Sequence, residues 1–187
     1  MGKLTEKKLK NKRFHKTEEA IIMAFSLIKD YSSTKRFVKV AQISRSTLYR
    51  HHKTISQIIP DYEEYIFKKY KKVIQKLLKN KNITLRHLYQ RTLIFIVANK
   101  KIAQFLYQFG NHSTLEKMIF LLQPKIIAAH RISNYSMFRI YIKEVIEVIE
   151  QWENNGFKID EISPTIGKIM YLTNTARDRL GPFSSQK

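Results

Sequence analysis

Along most of the chain, apolar residues return every three or four positions, the period of a helix packed on one side. From about Thr17 to Tyr31 the recurring set is Ala20, Ile21, Ala24, Phe25, Leu27 and Ile28. Thr17 is placed to cap this helix, with Glu18 and Glu19 in its first turn, where carboxylates suit the helix dipole. Tyr31-Ser32-Ser33-Thr34 breaks the pattern and offers a second cap. A short helix to about Ala41 then buries Phe37, Val38 and Ala41. Gln42-Ile43 reads as a tight turn, after which Ser44 caps a third helix from Arg45 to about His52. Two short helices joined across such a turn form a helix-turn-helix pattern, here at about 33–52.

A long helix follows, ending near Lys79 before the stop signal Asn80-Lys81-Asn82. Pro60 sits in its first turn, or at a kink if the helix starts near Thr54. Tyr62, Tyr65, Ile66, Tyr70, Val73, Ile74 and Leu77 mark its apolar side, and lysines from Lys68 to Lys79 line much of the rest. Further helices are expected near 84–98, 100–109, 113–123, 124–131, 134–154 and 163–179. Thr84, Ser113, Ser133 and Ser163 are the candidate caps, and Pro124 and Pro164 stand where helices can begin. The pattern predicts an all-α protein with two domains, no linker between them and the boundary inside the long helix. Residues 1–59 would form a three-helix unit with a basic arm, and 60–187 a larger helical domain entered through the long helix.

Composition narrows the chemistry. Five glycines and four prolines in 187 residues are few for an all-β chain. With no cysteine there is no disulfide, thiolate metal site or thiol nucleophile, and the six histidines form no HxxxH or HxxH pair. No metal and no cofactor are expected. The amino terminus is lysine-rich without an apolar stretch, so no signal peptide is read. The longest apolar runs, such as Leu93–Ala98, fall far short of the roughly 18 residues that span a bilayer. A soluble, cytoplasmic protein without a membrane partner is the expectation.

Net charge is +20, from 35 basic and 15 acidic side chains, a field that draws polyanions. Residues 1–59 hold 14 Lys/Arg against 4 Asp/Glu, half of the excess in under a third of the chain. Lys3, Lys7, Lys8, Lys10, Lys12 and Arg13 lack a burying pattern and read as a basic arm able to track phosphates.

The most informative string is Ser44-Arg45-Ser46-Thr47-Leu48-Tyr49-Arg50-His51-His52. As a helix it turns Leu48 back toward its neighbour and sets Arg45, Ser46, Tyr49 and Arg50 outward, as in a helix that enters the major groove. Arg45 is long enough to offer paired N–H donors to a guanine edge. Thr47, Tyr49 and His51 can donate to phosphate oxygens, which fixes register without reading sequence. Lys53 adds a phosphate contact, and Ser33 and Ser44, at the two helix starts, complete the candidate set.

This string resembles the DNA-binding segment of the TetR/AcrR family of transcriptional regulators. The family pattern runs Ala-Gly-Val-Ser-x-x-Thr-Leu/Phe-Tyr-x-His-Phe; Ala41, Ser44, Thr47, Leu48, Tyr49, Arg50 and His51 match it, with Ile43 for valine. The resemblance covers residues 15–75 and adds Trp152-Glu153-Asn154-Asn155-Gly156, similar to a helix end in many members. Gln42 replaces the turn glycine, His52 the phenylalanine and Ile55 the lysine at the start of the fourth helix. The resemblance implies a homodimer reading two half-sites of a pseudo-palindrome, released when a small molecule enters the second domain. The differential affinity of that effector for two states would drive the shift.

In the second domain, Phe138, Tyr141, Ile142, Val145, Ile149 and Trp152 form a stripe at alternating spacings of three and four. Ile166, Ile169, Met170 and Thr173 continue it on the last helix. Both stripes are assigned to the dimer interface, with intrachain core as the competing reading. Tyr89, Phe95, Phe105, Phe109 and Phe120 are candidates to line an effector pocket, with His112 and His130 as polar contacts. Glu116 is the sole acidic residue between 82 and 143, which favours a neutral or anionic effector.

No glycine-rich phosphate loop, catalytic triad string or nucleophile elbow is present, so the expectation is a binder and not an enzyme. The favoured reading is a ligand-responsive repressor. The alternative is a protein-binding coactivator of the same fold without sequence-selective DNA binding, motivated by Gln42, His52 and Ile55. An RNA reader would show aromatic stacking platforms on sheets or loops, which the pattern does not contain.

Overall fold

The computed structural model describes residues 11–28, 32–109, 112–130 and 135–179. Among these every regular element is a helix and none is a strand. The protein is all-α. The expected arm through Lys10, the break at Tyr31 and the Ser133 cap lie outside the described residues.

Helix α1 spans Lys12–Leu27. Its cap is Asn11, whose side chain accepts from the Arg13 and Phe14 amides at 3.0 and 3.2 Å. Thr17, expected to be the cap, lies a turn inside, where its hydroxyl donates to the Arg13 carbonyl at 3.1 Å. The helix therefore starts earlier than its apolar stripe, and Lys12 and Arg13 belong to it.

Helix α2 (Thr34–Val40) is capped by Ser33, which accepts from the Arg36 amide at 3.3 Å. It ends in two reversed bonds: the Ile43 amide donates to Val38 at 3.0 Å and the Gln42 amide to Lys39 at 3.3 Å. This is the Schellman arrangement, which needs a left-handed residue just past the helix. Gln42 supplies it, at φ 52°. Helix α3 (Arg45–His51) follows at once, capped by Ser44. After a 3-10 turn at Ile55–Gln57, helix α4 runs Ile58–Leu78 with Pro60 in its first turn, where a missing N–H costs no helical bond.

The remaining helices are α5 (Leu85–Ala98), α6 (Lys100–Phe109), α7 (Ser113–Phe120), α8 (Gln123–His130), α9 (Tyr135–Asn154) and α10 (Ile162–Arg179). The chain forms two compact units that divide inside α4, between Lys68 and Lys69, and not at 59/60. The first holds the described residues up to Lys68 with Gln108 and Phe109; the second holds the rest.

In the first unit α1 packs on α2 and α2 on α3. Ile21, Phe25, Phe37, Leu48, Ile58 and Tyr62 form its core, and the Phe25 and Phe37 rings meet edge-on at 5.2 Å. In the second unit α10 packs on α9, α5 and α8, and α9 also on α7. Its core carries a hydroxyl chain: Tyr89 to Tyr141 at 2.7 Å, and Tyr141 to Thr173 at 2.8 Å. Each hydroxyl of this chain of three thereby finds a partner, as burial favours. Helix α9 closes on a second Schellman turn, with Gly156 at φ 76° and Phe157 stacked edge-on against Trp152 at 5.0 Å.

The stripe assigned to a dimer interface is intrachain core. Phe138, Tyr141, Ile142, Val145, Ile149, Trp152, Ile166, Ile169 and Thr173 are all buried within the single chain, and Met170 is half-buried. Helical spacing announces that a face is covered; it does not say whether the cover comes from the same chain.

Candidate nucleic-acid interface

Helix α3 buries two side chains, Leu48 completely and His51 nearly so. Ser44 fixes where the helix begins. Its hydroxyl accepts from the Thr47 amide at 3.0 Å and lies 2.8 Å from both the Ser46 and Thr47 hydroxyls. With Leu48 inward, Arg45 and Tyr49 share one outer ridge and Ser46 and Arg50 the next, as positions four apart must. All four are exposed, as are Ser44 and Lys53, while Thr47 is half-buried.

The segment that carries α2 and α3 has a single sign of charge. Between residues 32 and 60 the basic residues are Lys35, Arg36, Lys39, Arg45, Arg50 and Lys53, with no Asp or Glu. Every one of these cations is exposed. Ser33, a member of the candidate DNA-binding set, is exposed at the start of α2 with its oxygen engaged in capping.

His51 departs from the expected role. It is buried, its ring stacked on Phe14 at 4.0 Å, and its Nδ1 donates to Glu18 Oε1 at 2.6 Å. A phosphate cannot reach it there. The neighbouring His52 is buried too. Its Nε2 lies 3.1 Å from Glu18 Oε2 and its Nδ1 2.7 Å from Asp61 Oδ2. The Tyr62 hydroxyl also donates to Glu18 Oε2. These contacts bring α1, the end of α3 and the start of α4 together around one carboxylate.

Burial alone would raise the Glu18 pKa. The hydrogen bonds from His51 and His52, the charge on His52 and the Tyr62 hydrogen bond outweigh it and hold the group at about 2. Burial would likewise strip the proton from His52, but hydrogen bonding to Glu18 and its charge, followed by those of Asp61, raise its pKa above the ordinary imidazole value. Tyr62 is pushed well up by burial and by the Glu18 charge. Both His52 nitrogens are engaged as donors, and among the described residues no group of side chains is placed to hold a metal ion.

Glu18, Asp61 and Tyr62 were missed as members of the site. Only the His51-His52 doublet is local in sequence; its Glu18 partner stands 33 and 34 positions away, beyond any helical period.

The residues expected around an effector are packed into the protein. Tyr89 is fully buried with its hydroxyl on Tyr141, and Phe95 and Phe105 are core. Phe95 meets the Tyr70 ring at 5.3 Å, Phe120 meets Phe138 at 5.2 Å, and Phe109 meets Phe25 at 5.7 Å. His112 is on the surface, 2.8 Å from Glu150. The His130 side chain lies outside the described residues.

No helix among the described residues is long and apolar enough to cross a membrane. Comparison of the chain with protein-family models, curated proteins and solved structures finds no match.

Proposed function

We propose that this protein is a sequence-selective, duplex-DNA-binding transcriptional regulator that acts as a homodimer on a pseudo-palindromic site, in the manner of a ligand-responsive repressor. The observation that carries the reading is the surface of α2, α3 and the turn after them: six exposed cations, no carboxylate, and an outward face of Arg45, Ser46, Tyr49 and Arg50 on a helix anchored through Leu48. Phosphates supply most of the affinity for such a surface, and the outward ridge supplies base contacts. In this reading α2 and α3 are the helix-turn-helix.

Two departures from the TetR/AcrR pattern leave that surface intact. Gln42 takes the left-handed backbone expected of a glycine, and His52 fills a buried position behind α3 as the phenylalanine would. The motive for a coactivator without DNA binding is correspondingly weaker. The effector in this reading is a small neutral or anionic molecule bound by the second unit.

The test is selection of duplexes from a random pool, followed by anisotropy titration of the winners over a salt series. A pseudo-palindrome with half-sites about one to one and a half turns of duplex apart is expected. Arg45→Ala should cost about 1–3 kcal/mol and relax one base position, while Lys53→Ala should weaken all sequences alike and reduce the salt slope by about 1. Enrichment of no motif, with affinity set by salt alone, overturns the reading.

A further inference from the structure

Glu18, His52 and Asp61 lie in series, with the His52 ring between two carboxylates. An imidazole bonded through both nitrogens to carboxylate oxygens must carry a proton on each, because a neutral ring would turn a lone pair toward one of the anions. The contacts at 3.1 and 2.7 Å fit two charge-assisted donors. Side-chain exposure is 0% for His52, 3% for Glu18 and 18% for Asp61, so water screens the array weakly. The groups facing it are Glu18 and, 2.6 Å from it, His51; Tyr62, which donates to Glu18; and Gln57, whose amide reaches Asp61 at 3.4 Å.

We infer that Glu18, His52 and Asp61 form a proton-dependent latch that positions α3, closed while the His52 ring carries both protons and opened when one passes to solvent. His52 is the residue directly after α3, and its amide closes the last turn onto Leu48 at 2.8 Å. Glu18 belongs to α1 and Asp61 to the first turn of α4. Losing one proton leaves a buried carboxylate facing a lone pair, and relief requires the end of α3 to move away from α1 or α4. Glu18 and His52 are thus positioning residues, acting on DNA only through the outward face of α3. That DNA consequence rests on the proposed function; the latch itself does not.

The sign follows from the direction of each shift. His52 is raised, so its contribution is complete below about pH 6.5, the unfolded value, and is lost as pH rises through the folded value. Glu18 is lowered to about 2, so its contribution is complete above its ordinary range and fails only toward that value. The latch is therefore tightest in mildly acidic solution and opens on the alkaline side. One proton is lost, so the folding equilibrium of the first unit falls by up to about tenfold per pH unit across the window.

The test uses the full chain from pH 5 to 9. Imidazole nitrogen and carbon NMR reads the His52 protonation state, and amide exchange gives protection factors for residues 45–51, with 138–152 as internal reference. The expected result is a doubly protonated His52 at pH 6, a midpoint above 6.5, and protection of 45–51 that falls up to tenfold per unit while the reference holds. Asp61→Asn should move the midpoint down and flatten the profile. A His52 midpoint at or below 6.5 overturns the latch, as does protection that stays constant through the midpoint. Duplex affinity measured over the same pH range should fall with protection. Should the latch titrate as described while no duplex binds at any pH, the proposed function fails and the latch stands.

Discussion

At Gln42 the backbone sits at φ 52°, where a β-carbon crowds the following carbonyl at a cost of about 1–2 kcal/mol. The side chain is exposed and its position is set by two amide bonds of the turn, so its removal loses little. Gln42→Gly should raise stability by roughly 0.5–1 kcal/mol, the strain relieved less the extra freedom of glycine in the unfolded chain. A higher urea midpoint at unchanged m-value is the expected reading. Glu18 presents the opposite case. It meets the first-turn preference for carboxylates only if the helix begins at Thr17, and Asn11 moves that start upstream and places Glu18 mid-helix, facing inward. Glu18→Gln removes the anion that neutralises His52 and should cost about 3–5 kcal/mol, as breaking a buried ion pair does. Amide protection of α1 and α3 would show the loss, with the second unit unaffected.

Helix starts were legible at three of the expected caps, whereas Ser113 is the first residue of a helix whose cap position is His112, and Ser163 lies inside a helix that begins at Ile162. Ser33, Ser44 and Thr84 each accept from the amide three residues on, a contact decided within one turn of chain. The stop at Gly156 was legible for the same reason. Asn11 was not, because basic residues separate it from the stripe. Helix α3 carries the largest assigned role, and its seven residues, as few as those of α2, make it dependent on its ends. Ser44→Ala removes a capping bond and two hydroxyl contacts, at about 1 kcal/mol. The loss should appear as faster amide exchange at Thr47 and Leu48. In the proposed reading it also weakens all duplexes together, since it loosens the helix without deleting a base contact.

Across the whole chain, what the sequence could not reveal was who covers whom. The apolar stripe of α9 is covered by α10 and α7 of its own chain, so the proposed homodimer would join through other faces. Helix α9 leaves Arg139, Ile140, Lys143 and Glu147 exposed, and α10 leaves Gly167, Lys168 and Tyr171, with Ile140 at 58% and Tyr171 at 67%. The proposed homodimer would draw on such outward residues, since a two-fold interface sets the same face of each copy against the other. The two faces of α9 then make opposite predictions. In the proposed homodimer, if it joins through this face, Ile140→Lys should shift the protein from dimer to monomer by sedimentation equilibrium while α9 stays folded. Ile149→Ala, on the inward stripe, should cost about 2–5 kcal/mol of folding stability as a cavity in the core, with the dimer retained below the unfolding midpoint. Because two linked half-sites bind far more tightly than one, Ile140→Lys should also abolish tight binding to a palindrome and leave half-site affinity unchanged. Should Ile149→Ala be the variant that dissociates, the stripe would be an interface after all, and the packing of α9 on α10 would have to be exchanged between chains.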